Sequence, residues 1–452
     1  MHDRRCALAL FVLTLGASVY FYGGWGANQE ANYALTRAIV EARTFAIDDF
    51  TVREGDIAEG VGGRIYSNKP PGLSALAVVP YAIQYSLQQR GAVTFREYWR
   101  TNKQLVTIFT CGLTGALIAP VLFLYGRRTL HVPRWNVVLV TVIIAFGTMV
   151  LPYSTMLFAH VPSAFFLLLA LTLLRQRPFL AGLSAGIAGA CFFLSAIAAL
   201  ILAFLAWSYA RRNALLFVAG GVPFAIALAV YQWLCFGSPF TTPVERSTAF
   251  TQPDLLLGVF GTARLSSLWA ITFSEYRGLF YASPILLFAF AGAVVMIRRR
   301  RFRAELAAIA AIALLFLISI ASFNGFHGGA AFGPRYLLPI VPLLAIPMMF
   351  LADRLRWLWL LGGLFSIAVH VAATAVDPMP LDGLYHPLTG YIMPALRDGK
   401  VSLAQDAGNL GEPFFGKGRS LSVVPGALWI VAGSGLLLAW AARRDARDLQ
   451  VR

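Results

Sequence analysis

The chain has few charged residues. Of its 452 residues only 13% are charged, whereas 58% are apolar and the mean hydropathy is +0.68. A soluble domain has a charged share of about 25% and an apolar share of about 45–50%, so this composition excludes a soluble domain, a disordered tail and a collagen-like fibre. At about 20 residues per crossing, and with about half of the chain in hydrocarbon, the length predicts about eleven or twelve membrane helices.

Cysteine is also scarce, and no internal repeat is evident. The spacing of the four cysteines suggests neither a metal site nor a disulfide framework. The lack of a repeat gives no direct support to an inverted-repeat transporter. All four cysteines lie inside or at the end of apolar runs and are expected to be packing residues: Cys6, Cys111, Cys191 and Cys235.

Acidic residues are outnumbered, with 21 against 37 basic residues and a net charge of +16. Twenty of the basic residues but only five of the acids fall at helix ends that a cytoplasmic N-terminus places inside the cell. This asymmetry follows the positive-inside rule, so both termini are predicted to be cytoplasmic in a bacterial inner (plasma) membrane. The positive charge therefore indicates orientation, and nucleic acid is not an expected partner.

Long apolar runs define the fold class. They predict an all-α polytopic membrane protein, in which residues 1–452 form a single membrane-embedded unit of about 12 transmembrane helices. The stretch Phe179–Tyr209 has basic residues at both ends and is therefore predicted to form two short helices. The runs are Cys6–Tyr22, Leu105–Tyr125, Asn136–Leu151, Val161–Leu174, Phe179–Phe192, Leu194–Tyr209, Ala214–Leu234, Tyr281–Ile297, Leu306–Ser322, Leu337–Leu351, Trp357–Ala375 and Val424–Ala442.

Three segments are longer than a connection needs: 23–104, 236–280 and 376–423. They are predicted to be extracytoplasmic loops, and function is expected there. In the first loop, helical spacing of apolar residues predicts an amphipathic interfacial helix over Gln29–Arg43. A second apolar stretch of that loop, Pro71–Leu87, is predicted to dip into the outer leaflet and return.

The first loop is rich in acids, with seven in thirty residues. Most of them, including Glu41, Glu54 and Glu59, are expected only to solvate the loop. Glu30 differs because it closely follows the first helix, and Asp56 differs because it lies between glycines on a segment that must return to the membrane. These two carboxylates are therefore candidate functional groups.

Three cations lie where a lipid headgroup is expected. Lys69 precedes two prolines at the start of an apolar helix, and it either anchors a helix end or presents its ammonium to a lipid phosphate. Arg335 lies at the end of the glycine-rich segment 324–336, and Arg277 lies in the second long loop. Each arginine either pairs with an outer acid or contacts a phosphate or sugar.

Two histidines also lie in predicted outer turns. A lone histidine such as His160 is more often a packing residue than a ligand. His160 becomes a candidate metal ligand only if His327 and an acid of the first loop lie beside it. The sequence therefore leaves open whether a divalent metal is bound.

Three short motifs resemble a known family: Asn28–Tyr33, Asp56–Gly72 and Phe332–Pro339. The second contains the sequence Tyr-Ser-x-Lys-Pro-Pro-Gly. Together with the long loop after the first helix, they resemble the GT-C fold of glycosyltransferases that use polyprenyl-phosphate-linked sugars. This group includes the protein O-mannosyltransferases and the lipid A aminoarabinose transferases.

The resemblance implies roles for particular residues. A first-loop carboxylate is expected to be the general base, and Lys69 is expected to hold the carrier phosphate. Many members have Asp-Glu where this chain has Gln29-Glu30, which leaves the base open among Glu30, Asp56 and Asp48. The residues expected to contact substrate are Lys69, Arg335, Arg277, Tyr66, Gln29, His327 and His160.

The chemistry of such a transfer agrees with an outward-facing site. Nucleotide sugars are cytoplasmic, so the donor is expected to be a polyprenyl-phosphate-linked sugar, and no nucleotide cofactor is expected. A carboxylate whose pKa is raised by partial burial suits the task of deprotonating the acceptor hydroxyl, and direct displacement predicts inversion. The isoprenoid needs an apolar groove, for which Pro71–Leu87 is one expected wall. A glycan, a lipid and a protein all stay open as acceptor.

Two other functions share some of these features. A flippase or transporter for a lipid-linked glycan would need ionisable residues midway along its helices, and apart from His370 the helix interiors carry essentially none. A glycan ligase that uses a polyprenyl diphosphate carrier differs from the main hypothesis in the leaving group. The lipid that is released after transfer, a phosphate or a diphosphate, would therefore distinguish the ligase from the main hypothesis.

Overall fold

The computed structural model describes residues 2–51, 56–91, 102–247, 251–351 and 356–450. Glu54 lies outside these residues. The helices are His2–Tyr20, Ala27–Arg37, Gly72–Gln89, Leu113–Arg128, Arg134–Phe146, Val150–Ser154, His160–Leu173, Pro178–Cys191, Phe193–Tyr209, Arg211–Phe236, Leu265–Thr272, Leu279–Ala282, Phe288–Arg298, Arg303–Ser322, Val341–Met348, Arg356–Val376, Met393–Arg397, Glu412–Phe415 and Val424–Gln450. Short 3-10 or π-helical segments occupy Ala38–Ala42, Val61–Gly63, Ile108–Gly112, Pro284–Leu287, Arg335–Ile340, Leu388–Ile392 and Ser420–Val423.

Helices of the described residues are suited to a membrane. Six apolar helices have 10–17 residues, and large side chains such as Phe204 and Leu436 face outward, 76% and 73% exposed. The chain is therefore a mainly helical, multi-pass membrane protein. The predicted number of about 12 crossings and the sidedness of the loops stay predictions. Five helices are long and apolar enough to cross: Asn102–Arg128, Arg211–Phe236, Arg303–Ser322, Trp357–Val376 and Ser420–Ala446.

The prediction of two short helices over Phe179–Tyr209 is confirmed. Helix Pro178–Cys191 ends at Phe192, whose extended backbone (φ −150°, ψ 112°) separates it from helix Phe193–Tyr209. The break leaves helices of 14 and 17 residues, both shorter than a full-length span of about 20 residues.

Glycines let the helices Pro178–Cys191 and Arg211–Phe236 touch along their backbones. A Cβ atom at Gly182 would lie 1.9 Å from the carbonyl oxygen of Phe217, and one at Gly220 would lie 2.1 Å from that of Phe179. Any larger residue at either position would force the two helices apart. Small residues at such a crossing are typical of helix pairs in membranes.

The expected amphipathic helix of the first loop is present, but its polar face is not at the surface. It spans Ala27–Arg37 and continues as the π-helical turn Ala38–Ala42. The interfacial placement stays a prediction, but the polar side chains of Asn32 and Thr36 are only 1% and 0% exposed. The reason is that a second helix covers this face.

That covering helix is Gly72–Gln89, which contains most of the stretch predicted to dip into the membrane. The hydroxyl of Ser74 donates to the carbonyl oxygen of Asn32 at 2.9 Å, and the hydroxyl of Thr36 donates to that of Ser74 at 3.2 Å. The two helices therefore satisfy their polar groups against each other instead of against water.

A small hairpin precedes helix Gly72–Gln89. Strand Ile57–Glu59 pairs antiparallel with strand Ile65–Ser67, and Ile57 lies opposite Ser67. The residues that flank the open end of an antiparallel hairpin are neighbours in space. Asp56 directly precedes the first strand, and Lys69 follows the second with one residue between them, so the hairpin brings their side chains together.

The last long loop packs onto the start of the first. Strand Phe21–Tyr22 pairs antiparallel with Gly408–Asn409, and the backbone N–H of Trp25 donates to the carbonyl oxygen of Gln405 at 2.8 Å. Residues far apart in sequence thus meet at the end of the first helix.

Candidate active site

Asp56 and Lys69 form an ion pair at the open end of the hairpin. The Nζ atom of Lys69 lies 2.6 Å from Oδ1 of Asp56, and both side chains are 17% exposed. Asn68 holds the pair in place, because its Nδ2 donates to the same oxygen of Asp56 at 3.3 Å and to the hydroxyl of Ser247 at 3.1 Å.

Burial and charge act in opposite directions on the carboxyl group of Asp56. Burial raises its pKa, but the ammonium of Lys69 lowers it. The guanidinium of Arg335 and the amide of Asn68 lower it as well, more weakly, and together the three groups outweigh the effect of burial. The net pKa of Asp56 lies below the ordinary value, opposite in direction to the raised pKa expected for the base, and which carboxylate is the base stays a prediction. Asp56 is ionised and is a weaker base than a free aspartate.

The ion pair lies in the wall of a cavity of about 490 Å³, called here the first cavity. Its lining brings together residues from the first loop, the second loop and the glycine-rich segment. The acidic, basic and histidine side chains of the lining, among the described residues, are Asp56, Lys69, His327 and Arg335. The amides are Asn28, Gln29, Gln252 and Asn324, and the aromatic residues are Phe158, Phe323 and Tyr336.

Arg335 reaches this cavity from the glycine-rich segment. It is 7% exposed, and its guanidinium carbon lies 4.8 Å and 5.3 Å from the ring centres of Phe158 and Tyr336. Gly328, at φ +77°, packs against this arginine, and a Cβ atom there would lie 2.9 Å from its Nε. Within the described residues Arg335 forms no ion pair with a carboxylate, so its charge is available to an anion.

Arg277 does not line the first cavity but holds its glycine-rich wall. The side chain is fully buried, and it donates to the carbonyl oxygens of His327 at 3.0 Å and Gly329 at 2.9 Å. A buried guanidinium that donates to backbone carbonyls fixes the shape of a turn. Of the two uses expected for Arg277, this is closer to structural pairing than to contact with a phosphate.

Asp382 joins three parts of the chain behind this wall. It accepts from the hydroxyl of Tyr276 at 2.5 Å, lies 2.8 Å from Nδ1 of His327, and lies 3.7 Å from the guanidinium of Arg277. The last long loop thereby holds His327 in position, and Met379 of the same loop lines the first cavity.

A second cavity, of about 220 Å³, adjoins the first. The two share Asn28, Lys69, Phe323 and Tyr336. Apart from the shared end, the second cavity is mostly apolar, with walls from Phe192, Phe193, Leu194, Ile197, Val259 and Ile320. Its lining includes Pro70 but no described residue of Gly72–Gln89. The wall expected from Pro71–Leu87 is instead formed by the helices Phe193–Tyr209 and Arg303–Ser322 and by the second loop.

His160 lies in the wall of the second cavity. It is 5% exposed and packs between aromatic rings, 5.0 Å from the ring centre of Phe192 and 5.3 Å from that of Tyr336. His160 and His327 line different cavities, and no group of three metal-ligating side chains is found among the described residues.

Three other predicted site residues of the first loop, Glu30, Asp48 and Tyr66, line neither cavity. Glu30 accepts from the indole Nε1 of Trp25 and lies 3.9 Å from Nζ of Lys103. Asp48 accepts from the backbone N–H of Ile65 at 3.0 Å, which supports the hairpin. Tyr66 packs edge-on against Phe236, with ring centres 5.5 Å apart. Gln29, next to Glu30, does line the first cavity.

Comparison with known proteins identifies the fold of this chain. No family model and no curated protein sequence matches the chain. Among solved structures, ArnT from Cupriavidus metallidurans bound to undecaprenyl phosphate is similar to it, with 13% identity over 98% of this chain and 77% of ArnT, and a TM-score of 0.50. This likeness shows a common fold, and the GT-C fold expected from the motifs is confirmed.

Two further structures are similar at lower scores. ArnT of the same organism in the apo state has 14% identity over 96% of this chain and 75% of ArnT, with a TM-score of 0.47. The oligosaccharyltransferase of Archaeoglobus fulgidus in the apo form has 14% identity over 96% of this chain and 56% of its own length, with a TM-score of 0.43.

Proposed function

We propose that this protein is a membrane glycosyltransferase that moves a sugar from a polyprenyl-phosphate carrier to an acceptor hydroxyl. The observation that carries the proposal is the meeting of a polar and an apolar cavity at Lys69, beside the carboxylate of Asp56. A lipid-linked sugar has the same division into an apolar chain, a phosphate and a hydroxylated ring. The likeness in fold to a protein solved with undecaprenyl phosphate supports this reading.

In this proposal the phosphate lies where the cavities join. Lys69 supplies a compact ammonium from the hairpin, and Arg335 supplies a guanidinium from the glycine-rich segment. Two cations in a poorly solvated site bind a phosphodiester strongly, because hydrogen bonds between charged groups are roughly twice as strong as neutral ones. The first isoprene units then occupy the second cavity between Phe192 and Ile197.

The sugar and the acceptor occupy the first cavity. Its amides, such as Gln29 and Asn324, can both donate to and accept from hydroxyl groups, and its aromatic rings offer apolar faces to a sugar ring. This lining suits a hydroxylated sugar. The acceptor is a hydroxyl of a glycan, a lipid or a protein.

The transfer is a single displacement. The acceptor oxygen forms a bond to the anomeric carbon while the bond from that carbon to the phosphate oxygen breaks, and the electron pair leaves with the polyprenyl phosphate. Asp56 takes the proton of the acceptor hydroxyl. Lys69 and Arg335 stabilise the charge that develops on the phosphate. Attack opposite the leaving group inverts the anomeric centre.

The donor also sets the side of the membrane. A lipid-linked sugar can deliver its headgroup to the outer leaflet, where nucleotide sugars are absent. We therefore place both cavities on the extracytoplasmic side of a bacterial plasma membrane, with the two termini in the cytoplasm. This orientation agrees with the basic residues at the predicted cytoplasmic ends.

A defined lipid donor tests the function. The full-length protein, purified in lipid nanodiscs, is incubated with a synthetic polyprenyl-phosphate hexose and cell-envelope glycan and lipid acceptors. We expect acceptor-dependent release of free polyprenyl phosphate, detected by mass spectrometry, and a product of inverted configuration. Turnover only of a polyprenyl diphosphate donor would favour a glycan ligase, and binding of lipid-linked sugar without bond cleavage would favour a flippase. Either result would overturn the proposal.

Glu30 is expected to contribute to stability and not to transfer. Its carboxylate faces Trp25 and Lys103 instead of the cavities. Glu30→Gln keeps an acceptor for the indole but removes the negative charge beside the lysine. We expect a transfer rate close to that of the unaltered protein and a free energy of unfolding lower by about 1 kcal/mol, measured by thermal denaturation. A loss of transfer without a loss of stability would return the role of base to Glu30.

A further inference from the structure

One ammonium group lies within reach of two anionic positions. Lys69 lines both cavities, at the junction where the proposed carrier phosphate lies, and it also forms the 2.6 Å ion pair with Asp56. The two side chains of the pair are equally buried, each 17% exposed. The same cation therefore serves as phosphate ligand and as partner of the proposed base.

These two uses have opposite effects on Asp56. A carboxylate that accepts a hydrogen bond from an ammonium at this distance is stabilised as the anion and is a poor proton acceptor. A phosphate that draws the ammonium away removes this stabilisation. It also adds a negative charge nearby, and a like charge favours the protonated carboxyl group.

We propose that Lys69 exchanges partners during the reaction, holding Asp56 before the donor binds and holding the carrier phosphate afterwards, so that Asp56 becomes an effective base only when the donor is in place. The inference rests on the proposed function and adds an order of events to it. The proton of an acceptor hydroxyl is taken only after the phosphate of the donor is bound.

The other groups around Asp56 are consistent with one dominant switch. Asn68 donates to it at 3.3 Å but is neutral, and Arg335 acts on its charge more weakly than Lys69 does. Of the other titratable lining residues among those described, His327 is held 2.8 Å from Asp382, and Tyr336 packs against Arg335, whose guanidinium carbon lies 5.3 Å from its ring centre. Lys69 is therefore the partner whose departure changes the basicity of Asp56 most.

The pH dependence of the wild-type reaction tests the exchange. The acid limb of the pH profile of kcat/KM for the donor reports the pKa of the base in the protein without donor. The acid limb of the pH profile of kcat reports the pKa of the base in the protein with donor bound. A sugar phosphodiester does not titrate in this range. Because the ion pair lowers the pKa of Asp56 in the free protein, we expect the acid limb of kcat at a higher pH, by about one to three units. Coinciding limbs would overturn the inference.

Variants supply an independent readout. In Lys69→Met the free protein lacks the ion pair, so the acid limb of kcat/KM should move up to that of kcat, whereas Lys69→Arg should retain the separation. Lys103→Met removes a lysine that lines neither cavity and should leave both limbs in place. An unmoved limb in Lys69→Met would overturn the exchange while leaving the glycosyltransferase proposal intact. Failure of the wild type to release polyprenyl phosphate would instead overturn the proposed function.

Discussion

Asp56→Asn is expected to reduce kcat by about 10²- to 10⁴-fold, the contribution typical of a general base. The amide cannot accept the proton of the acceptor hydroxyl. Binding of the donor should not weaken, because the substitution removes the 2.6 Å ion pair that competes with the phosphate for Lys69. The measurement is release of polyprenyl phosphate at varied donor concentration, which separates kcat from KM.

The matched control is Asp48→Asn. Asp48 is an acid of the same loop, but it faces Arg64 at 3.6 Å and the backbone of the hairpin, away from both cavities. We expect it to retain most of its turnover. Near-normal turnover in Asp56→Asn, or a rise in KM without a fall in kcat, would show that Asp56 is not the base.

The sequence predicts best those helices that are long apolar runs with a clear end. Basic residues at both ends of Phe179–Tyr209 predict the two short helices that the structure contains. Sequence periodicity fails for the helix Ala27–Arg37. Its polar residues indicate an exposed face, but Asn32 and Thr36 are buried because their hydrogen-bond partners come from a helix about 40 residues later.

The contact between two site residues could be predicted where they are close in sequence. Asp56 and Lys69 flank a short hairpin, so the Lys-Pro-Pro motif and the glycine-flanked acid point to the same place. The choice between Asp56 and Glu30 needs the direction of each side chain. Neighbouring residues of a helix point in different directions, and Gln29 rather than Glu30 faces the first cavity.

Residues recruited from distant loops carry no local signal. Asp382 lies in an unremarkable turn of the last long loop, yet it positions Tyr276 and His327 from two other segments. Arg277 is similar, because its fully buried guanidinium is matched to carbonyl groups about 50 residues away. Nothing in the amino-acid pattern distinguishes such a structural arginine from one that binds phosphate.

Lys69→Met is expected to weaken binding of the polyprenyl phosphate carrier by about 10- to 150-fold. This corresponds to the loss of a hydrogen bond to a charged group, about 1.5–3 kcal/mol. Methionine keeps the length of the side chain and its packing beside Pro70 but removes the charge. Arg335, which lines the same cavity, retains part of the affinity. The measurement is equilibrium binding of a synthetic polyprenyl phosphate to the full-length protein in nanodiscs.

Two variants separate the charge of Lys69 from its role in folding. Lys69→Arg keeps a cation and should bind the carrier much more strongly than Lys69→Met. Lys103→Met removes a lysine of similar burial, since the side chain of Lys103 is 20% exposed and that of Lys69 is 17% exposed. Lys103 pairs with Glu30 and Asp406 and lines neither cavity. This variant should bind the carrier normally. If Lys69→Met retained full affinity while remaining folded, the lysine would only anchor a helix end, and the phosphate would have to be held by Arg335 alone.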